Sequence, residues 1–198
     1  MQTRLALRRD LDDIVDTLVE AFFDDPVFSW MYADAEARPR HLRAWFSQVM
    51  PSVFEHGHCY VARATAAAVW VPPDIPQLTD PERSALVGLV ASQTSPDHAM
   101  TVLRGFGAAG AHHPEEPPSM LLWYVGVRRE AQGLGFGQQV LAPVLRLLDE
   151  GGLAAYLHST NGRNVPFYQR LGWDVLAEVP MAPDGPVIRP MWRAGEEG

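Results

Sequence analysis

The first apolar pattern along the chain has the spacing of a helix. In residues 11–25 (LDDIVDTLVEAFFDD), apolar side chains recur every three or four positions, which predicts an amphipathic helix. Two aspartates lie in its first turn, where the helix dipole favours acidic side chains, and Pro26 is predicted to end it. The alternating residues 3–8 predict a short strand before this helix, and a second helix is predicted over about 36–54.

The middle of the chain changes from strand-like to helical patterns. Residues 58–64 (HCYVARA) and 66–73 (AAAVWVPP) predict a pair of strands, with the three alanines 66–68 as the turn between them. Residues 74–118 are rich in proline at both ends and helical in between. This segment is too short to form a core of its own, so it predicts a helical insertion between two strands, not a second domain.

The second half of the chain alternates regularly between strand and helix patterns. A continuous apolar run over 120–127 has the length of a buried strand. The chain continues with a glycine-rich loop, a helix over 138–150, a strand over 153–159, a short helix over 164–171 and two closing strands over 173–181 and 187–193, which predict a hairpin. Together with the first half, this order predicts an α/β domain spanning residues 1–198.

Composition narrows the class of ligand. With 198 residues, 47% of them hydrophobic and 20% charged, the chain can bury a core. Its formal net charge of -8 disfavours nucleic-acid binding and mildly favours a cationic ligand. The single cysteine, Cys59, can form no internal disulfide, and the N-terminus lacks an export signal. No stretch has the length of a membrane span. A cytoplasmic protein is therefore expected.

The loop QGLGFG, Gln132 to Gly137, has three glycines at alternate positions between a strand pattern and a helix pattern. Backbone N–H groups in such a loop can surround a phosphate, and the helix dipole adds a favourable potential. A Walker A loop is excluded because Gln138 follows where lysine is needed. A dinucleotide fingerprint needs a different glycine spacing and an acidic residue after the next strand. A plain glycine-rich turn stays open.

A second motif lies one helix and one strand further on. Asn161 precedes Tyr168 by seven residues, and the run 167–173 is FYQRLGW. Taken together, QGLGFG after Val127 and this second motif resemble the GNAT superfamily of N-acetyltransferases. The segments over residues 112–180 resemble the puromycin N-acetyltransferase type in particular. His158 is a departure, because relatives of that type often carry glutamate at its position.

The resemblance implies a mixed, mostly antiparallel central sheet of about six to seven strands with helices on both faces. It also implies direct transfer of an acetyl group from acetyl-CoA to a primary amine of a small molecule, without a metal, by a monomer or homodimer. The implied acetyl-CoA contacts are Val125, Gly126, Val127, Arg128, Gln132, Gly133, Leu134, Gly135, Phe136, Gly137, Gln138, Asn161 and Asn164. Arg128 can equally be a solvated loop residue, and each asparagine only a helix cap.

The transfer also needs a proton donor, a proton acceptor and an acceptor pocket. Tyr168 is the predicted acid for the departing thiolate. His158 is the predicted base because its ordinary pKa suits that task, and the polar loop before the glycine-loop strand offers others. The predicted acceptor pocket contains Phe28, Trp30, Trp123, Tyr124 and Asp25, although Asp25 can also be a solvated residue at a helix end. From a regular strand, Trp123 and Tyr124 would face opposite sides.

Two alternatives share the same fold. A non-catalytic acyl-CoA sensor would bind the cofactor without turnover, and the unusual residue at position 158 keeps that possibility open. A protein N-terminal or lysine acetyltransferase would need a wide groove in place of a closed aromatic pocket. The amine, the acyl chain and the oligomeric state are not determined by the sequence.

Overall fold

A computed structural model of the protein describes residues 3–55 and 58–195, and a single mixed sheet organises the chain. Its strands are β1 (Arg4–Leu5), β2 (Cys59–Ala62), β3 (Ala66–Val71), β4 (Ser119–Val127), β5 (Ala154–Ser159), β6 (Asp174–Val175), β7 (Val179–Pro180) and β8 (Val187–Arg193). The order is β1-β2-β3-β4-β5-β8-β6, and β7 pairs with β8. Each of these neighbouring pairs is antiparallel except β4 and β5, which run parallel.

Helices cover both faces of this sheet. They are α1 (Leu11–Phe22), α2 (Pro26–Met31), α3 (Arg38–Glu55), α4 (Asp80–Gln93), α5 (Pro96–Gly110), α6 (Phe136–Gly151) and α7 (Val165–Gln169). One apolar cluster joins the first five helices to one face, and a second joins α6 and α7 to the other. The predicted fold class is confirmed. Among the described helices, none is both long and apolar enough to cross a membrane.

Strand β4 is the centre of both clusters. Its first four residues, 119–122, are all buried, because the strand lies between β3 and β5 and has helices above and below. This is the setting in which a strand is a continuous apolar run and not an alternating one, and it confirms the strand predicted over 120–127.

Pro26 does not end the helical region as predicted. It occupies the first turn of α2, where its missing N–H is not needed. Asp25 is the N-cap, and its side chain accepts hydrogen bonds from the backbone N–H groups of Val27 and Phe28. The chain therefore turns sharply at Asp25 and continues as a second short helix, which the sequence reasoning missed.

Two further strand predictions differ in detail. The turn between β2 and β3 is formed by residues 63–65 and not by the three alanines, which lie in β3. Arg63 and Ala64 both have φ of +54° there. The predicted strand over 173–181 is divided into β6 and β7, so the sheet has eight strands and not six to seven. The predicted hairpin is confirmed, since β7 pairs with β8 in antiparallel register.

The segment over 74–118 forms α4 and α5, as predicted, and these helices share a core with α1 and α3. Leu86 and Val90 of α4, and Val102 of α5, are buried in the same cluster as Leu18 and Phe46. The single-domain organisation stays a prediction, and this shared core supports it.

Gly126 sets how closely α1 approaches β4. A β-carbon added there would lie 3.0 Å from Leu18 Cδ2 and 3.0 Å from Ala21 Cβ. We expect Gly126→Val to overpack this contact and to lower the free energy of unfolding by about 1–3 kcal/mol in urea titrations. The control is Gly88→Ala, at an exposed position of α4 with open space around the glycine. This variant should raise the free energy of unfolding by up to about 1 kcal/mol. Equal values for the two variants would contradict the close approach.

Candidate functional site

One cavity of about 1580 Å³ runs from the glycine loop, along the ends of β4 and β5, to the helices of the 74–118 segment. A pocket for one drug-sized ligand is typically about 300–1,000 Å³, so this cavity has room for two ligands side by side. The cavity is lined by all the residues predicted for the glycine loop, the strand end, the acetyl transfer and the acceptor pocket, except Arg128, Leu134 and Trp30.

The cavity begins where two parallel strands separate. β4 and β5 pair only from Ser119 with Ala154 to Leu122 with Leu157. β4 then continues to Val127, paired with β3 along its other edge. The backbone groups of residues 123–127 that face β5 therefore have no strand partner. The edge of β4 near Val125 to Val127 is therefore open, and it has the form of a sheet edge to which an extended ligand can add.

The glycine loop lies directly beyond this edge. Gly133 and Gly135 have φ of +76° and +83°, a region in which a β-carbon is strained. Gly135 is the N-cap of α6, whose first turn contains no acidic residue, and the first N–H groups of a helix have no acceptor within the helix. Gln132 Nε2 donates to the carbonyl of Val127 at 3.1 Å and holds the loop against the strand. The loop thus has the geometry and potential of an anion site.

Tyr168 is buried at the cavity wall, where its ring contacts the edge of Trp173 at a centroid distance of 6.0 Å. Burial raises the pKa of its phenol, and the negative charge of Asp25 raises the pKa further. Tyr168 therefore keeps its proton throughout the neutral range. That is the state a proton donor needs before transfer.

Asp25 is buried and not solvated, with 6% of its surface exposed. Its Oδ1 accepts from the N–H groups of Val27 at 2.9 Å and Phe28 at 3.2 Å, and its Oδ2 accepts from Thr160 Oγ1 at 2.6 Å. Burial raises the pKa of this carboxyl, and the three hydrogen bonds oppose that shift. The bond to Thr160 joins the α1–α2 loop to the end of β5, and so brings a carboxylate into the cavity.

The prediction that Trp123 and Tyr124 face opposite sides is wrong, because β4 is not regular there. A β-bulge shifts the register between β3 and β4 at Val69 and Trp70, so both rings belong to the same side of the sheet. Their centroids are 5.0 Å apart. The Tyr124 hydroxyl accepts from Trp45 Nε1 at 3.1 Å. The bulge thus adds a second aromatic ring to the cavity wall.

Phe28 lies among the same aromatic residues. Its ring centroid is 5.3 Å from that of Phe22 and 5.6 Å from that of Trp45. Trp45 in turn stacks against Phe106 of α5 at 6.3 Å. These contacts connect the predicted acceptor pocket to the 74–118 segment.

His158 is held in a network at the other wall of the cavity. Its Nε2 lies 2.9 Å from the Tyr156 hydroxyl, which donates to the carbonyl of Ala109 at 3.1 Å. The ring of His113 stacks on Tyr156 at 4.0 Å, and its Nε2 lies 2.8 Å from Ser119 Oγ. Burial lowers the pKa of His158 to about 4, with smaller contributions from neighbouring histidines. The ring is therefore uncharged at neutral pH.

Three predicted residues are directed elsewhere. The guanidinium of Arg128 lies against α1, where Nε donates to Thr17 Oγ1 at 3.2 Å. Leu134 is at the exposed tip of the loop, with 66% of its surface accessible. Trp30 packs on the ring of His98 at 4.8 Å. These three side chains do not line the cavity.

The two asparagines differ. Asn161 Oδ1 accepts from the N–H of Arg163 at 3.1 Å, which is the capping role left open by the sequence. Asn164 is exposed at the cavity and makes no capping bond with its side chain. Arg163 and Arg170 also line the cavity with exposed side chains, although the sequence reasoning did not single them out.

Other site residues were missed because no local pattern marks them. Thr160 contributes to the site only through its hydrogen bond to Asp25. The packing of helices that are distant in sequence brings Trp45, Phe106 and Val102 to the cavity. The helical spacing of the 74–118 segment predicted its helices but not which face would meet the cavity. Within the described residues, no group of three or more His, Cys, Asp or Glu side chains is placed to hold a metal ion.

Comparison with known proteins gives a consistent result. The acetyltransferase (GNAT) family model matches residues 15–173. A Schizosaccharomyces pombe protein described as an uncharacterized N-acetyltransferase is 25% identical over 182 residues, covering 83% of this chain and 71% of that protein. A Corynebacterium glutamicum structure, described as histone acetyltransferase HPA2 and related acetyltransferase, is 27% identical with a TM-score of 0.73, covering 100% of this chain and 97% of that one. Arylalkylamine N-acetyltransferase 2 from Aedes aegypti shares the fold, with a TM-score of 0.66 at 9% identity and 98% of each chain covered.

The low pKa of His158 gives a titration that can be measured. The folded-state pKa of about 4 lies below the ordinary value of about 6.5, so the unfolded chain takes up the proton first as the pH falls. The contribution of His158 to stability is therefore complete above about pH 6.5 and decreases toward pH 4, by roughly 3 kcal/mol. We expect an NMR titration of its ring, assigned with His158→Gln, to show a midpoint near 4. A midpoint near 6.5 would contradict the buried network.

Proposed function

The chain belongs to the acetyltransferase (GNAT) family, and from that membership we propose that it transfers an acetyl group from acetyl-CoA to a primary amine of a small molecule. One observation carries this proposal: the glycine loop, the open edge of β4, the phenol of Tyr168 and an aromatic pocket all line the same cavity. The likeness of residues 112–180 to the puromycin N-acetyltransferase type supports a small acceptor as well.

The glycine loop and strand edge fit acetyl-CoA. In the proposed complex, the N–H groups from Gly133 to Gln138 bind the pyrophosphate, with the positive end of α6 behind them. The open edge at residues 125–127 binds the pantetheine arm as an added strand, and Asn164 lies beside it. Arg163 and Arg170 line the cavity near the loop and are suited to the remaining phosphate charge.

Acetyl-CoA supplies the acetyl group as a thioester when bound. In the overall transfer, the thioester C–S bond breaks and an amide C–N bond forms. The acceptor ammonium loses two protons in total. In the net balance, the CoA sulfur gains one proton and the solvent gains the other. Tyr168 is the proposed donor to the sulfur, because its phenol lines the cavity and is protonated at neutral pH. A backbone N–H at the end of β4 is the proposed donor to the carbonyl oxygen.

His158 has a different part in this proposal from the one predicted. An amine with an ordinary pKa of about 10.4 does not give a proton readily to an imidazole whose pKa is about 4. The neutral ring is better suited to hold Tyr156 and the backbone of Ala109 in place, and so to shape the acceptor end of the cavity.

A small acceptor is favoured over a protein substrate by the 74–118 segment. Its helices α4 and α5 supply lining residues such as Leu86 and Phe106 at the end of the cavity away from the glycine loop. A peptide chain would need an open groove there. The Tyr168 phenol at the cavity wall favours an enzyme over an acyl-CoA sensor that does not turn over.

Removing the phenolic hydroxyl tests the proposed acid. We expect Tyr168→Phe to lower kcat for amine acetylation by about 10²-fold or more, because general acid catalysis contributes that much at its low end. The assay measures CoA thiol release and confirms the acetylated amine by mass spectrometry. Tyr60→Phe, on β2 and away from the cavity lining, is the matched control. An unchanged kcat in Tyr168→Phe would remove this role, and no turnover with any amine would contradict the proposed activity.

A β-carbon in the glycine loop tests the donor site. Gly135→Ala forces a residue with a side chain into a positive-φ conformation that costs roughly 1–2 kcal/mol. We therefore expect its Kd for CoA, measured by calorimetry, to rise about 10-fold. Gly88→Ala is again the control, since it lies on α4 outside the loop. Equal affinity of the two variants for CoA would mean that the loop is not the phosphate site.

A further inference from the structure

Asp25 is a buried carboxylate without a cation. Its three hydrogen-bond donors, Val27 N, Phe28 N and Thr160 Oγ1, are all neutral groups. Within the described residues, no arginine or histidine nitrogen forms an ion pair with it. A buried charge that is not paired is unfavourable, so a cation that enters the cavity gains a strong attraction at this point.

The other acidic residues of the cavity do not provide a second such site. Glu20 and Asp24 are both bonded to Arg129, the first through the backbone N–H at 2.5 Å and the second through an ion pair of 2.6 Å. Asp74 and Glu115 are exposed to solvent. Asp25 is thus the single buried carboxylate among the cavity residues.

Beyond Asp25, an apolar patch lies in the half of the cavity away from the glycine loop. The lining there comes from α3, α4, α5 and β4, and its main members are Trp45, Leu86, Val90, Val102, Phe106 and Trp123. Leu86, Val90 and Val102 belong to the main apolar cluster of the fold. An aromatic or branched aliphatic group would be desolvated there, whereas a second ammonium would meet no second buried carboxylate, since Asp74 and Glu115 are exposed.

Resting on the proposed function, we infer that the acceptor is a hydrophobic monoamine. Its ammonium pairs with the carboxylate of Asp25, and its aromatic or aliphatic body lies among the apolar side chains of α4 and α5. The class comprises primary monoamines that carry a ring or an alkyl chain, and it excludes diamines, polyamines and the lysine side chains of peptides.

The position of Asp25 relative to Tyr168 agrees with this assignment. The charge of Asp25 acts on the Tyr168 phenol, and both side chains line the same cavity. Thr160, which follows β5, holds Asp25 at the point where β4 and β5 separate. An amine held by Asp25 therefore shares the cavity with the proposed proton donor, and it must lose its own proton to become a nucleophile.

An amine panel with the natural protein tests the substrate class. The probes are 2-phenylethylamine, hexylamine, 1,4-diaminobutane and a short peptide with one free lysine, each with acetyl-CoA. We expect kcat/KM for 2-phenylethylamine to exceed that for 1,4-diaminobutane and for the peptide by at least about 10-fold, since each of the latter would leave a second polar or charged group unpaired. Preferred acetylation of the diamine or the peptide would overturn the inference and leave the acetyltransferase activity standing. Acetylation of none of the four would contradict both.

A binding measurement isolates Asp25. Trp45 and Trp123 line the pocket, so a bound amine should change the tryptophan fluorescence of the protein saturated with CoA. We expect Asp25→Asn to raise the Kd for 2-phenylethylamine at least about 10-fold and to leave the Kd for CoA unchanged. The neutral analogue 2-phenylethanol should bind the natural protein and Asp25→Asn equally, because it carries no charge.

Asp12→Asn is the matched control, since Asp12 is exposed in the first turn of α1, and it should behave like the natural protein in each titration. Circular dichroism of Asp25→Asn shows whether the protein is still folded, and an unchanged affinity for CoA and for 2-phenylethanol shows that the cavity is intact. Equal affinity of the natural protein and a folded Asp25→Asn for 2-phenylethylamine would overturn the inference.

Discussion

The separation of β4 from β5 is the constraint on which the site depends. Backbone N–H and C=O groups inside a protein need hydrogen-bond partners. β4 and β5 pair with each other only as far as Leu122 and Leu157. Past that point the edge of β4 opens into the cavity. The glycine loop continues directly from the end of β4, and α7 with its Tyr168 follows β5, so both motifs meet at the opening. This edge can therefore bind a ligand that supplies backbone-like hydrogen bonds.

The N-terminal helices and the 74–118 segment complete the site from the opposite side. Gly126 allows α1 to lie against β4, and the sharp turn at Asp25 then brings a carboxylate to the end of β5 through Thr160. Helices α4 and α5 add the apolar wall. The donor half of the cavity is thus built from the sheet and the glycine loop, and the acceptor half from segments packed onto the sheet.

The parts of this arrangement that depend on local pattern were predictable from the sequence. The apolar run of β4, the glycine loop and the helix after it are each encoded within a few residues. The parts that depend on long-range packing were not. Asp25 was predicted as an acceptor residue but not as a helix cap bonded to Thr160, and Arg128 turns toward Thr17 because α1 lies beside it. The bulge that places Trp123 beside Tyr124 arises from the register with β3, which no spacing within β4 reveals.

Amide hydrogen exchange with and without CoA tests the central claim that the open edge of β4 binds the donor. We expect the exchange of amides in residues 123–127 to slow when CoA binds, because the added ligand pairs with that edge, while amides of β2 stay unchanged. Unchanged exchange over residues 123–127 at saturating CoA would contradict the account.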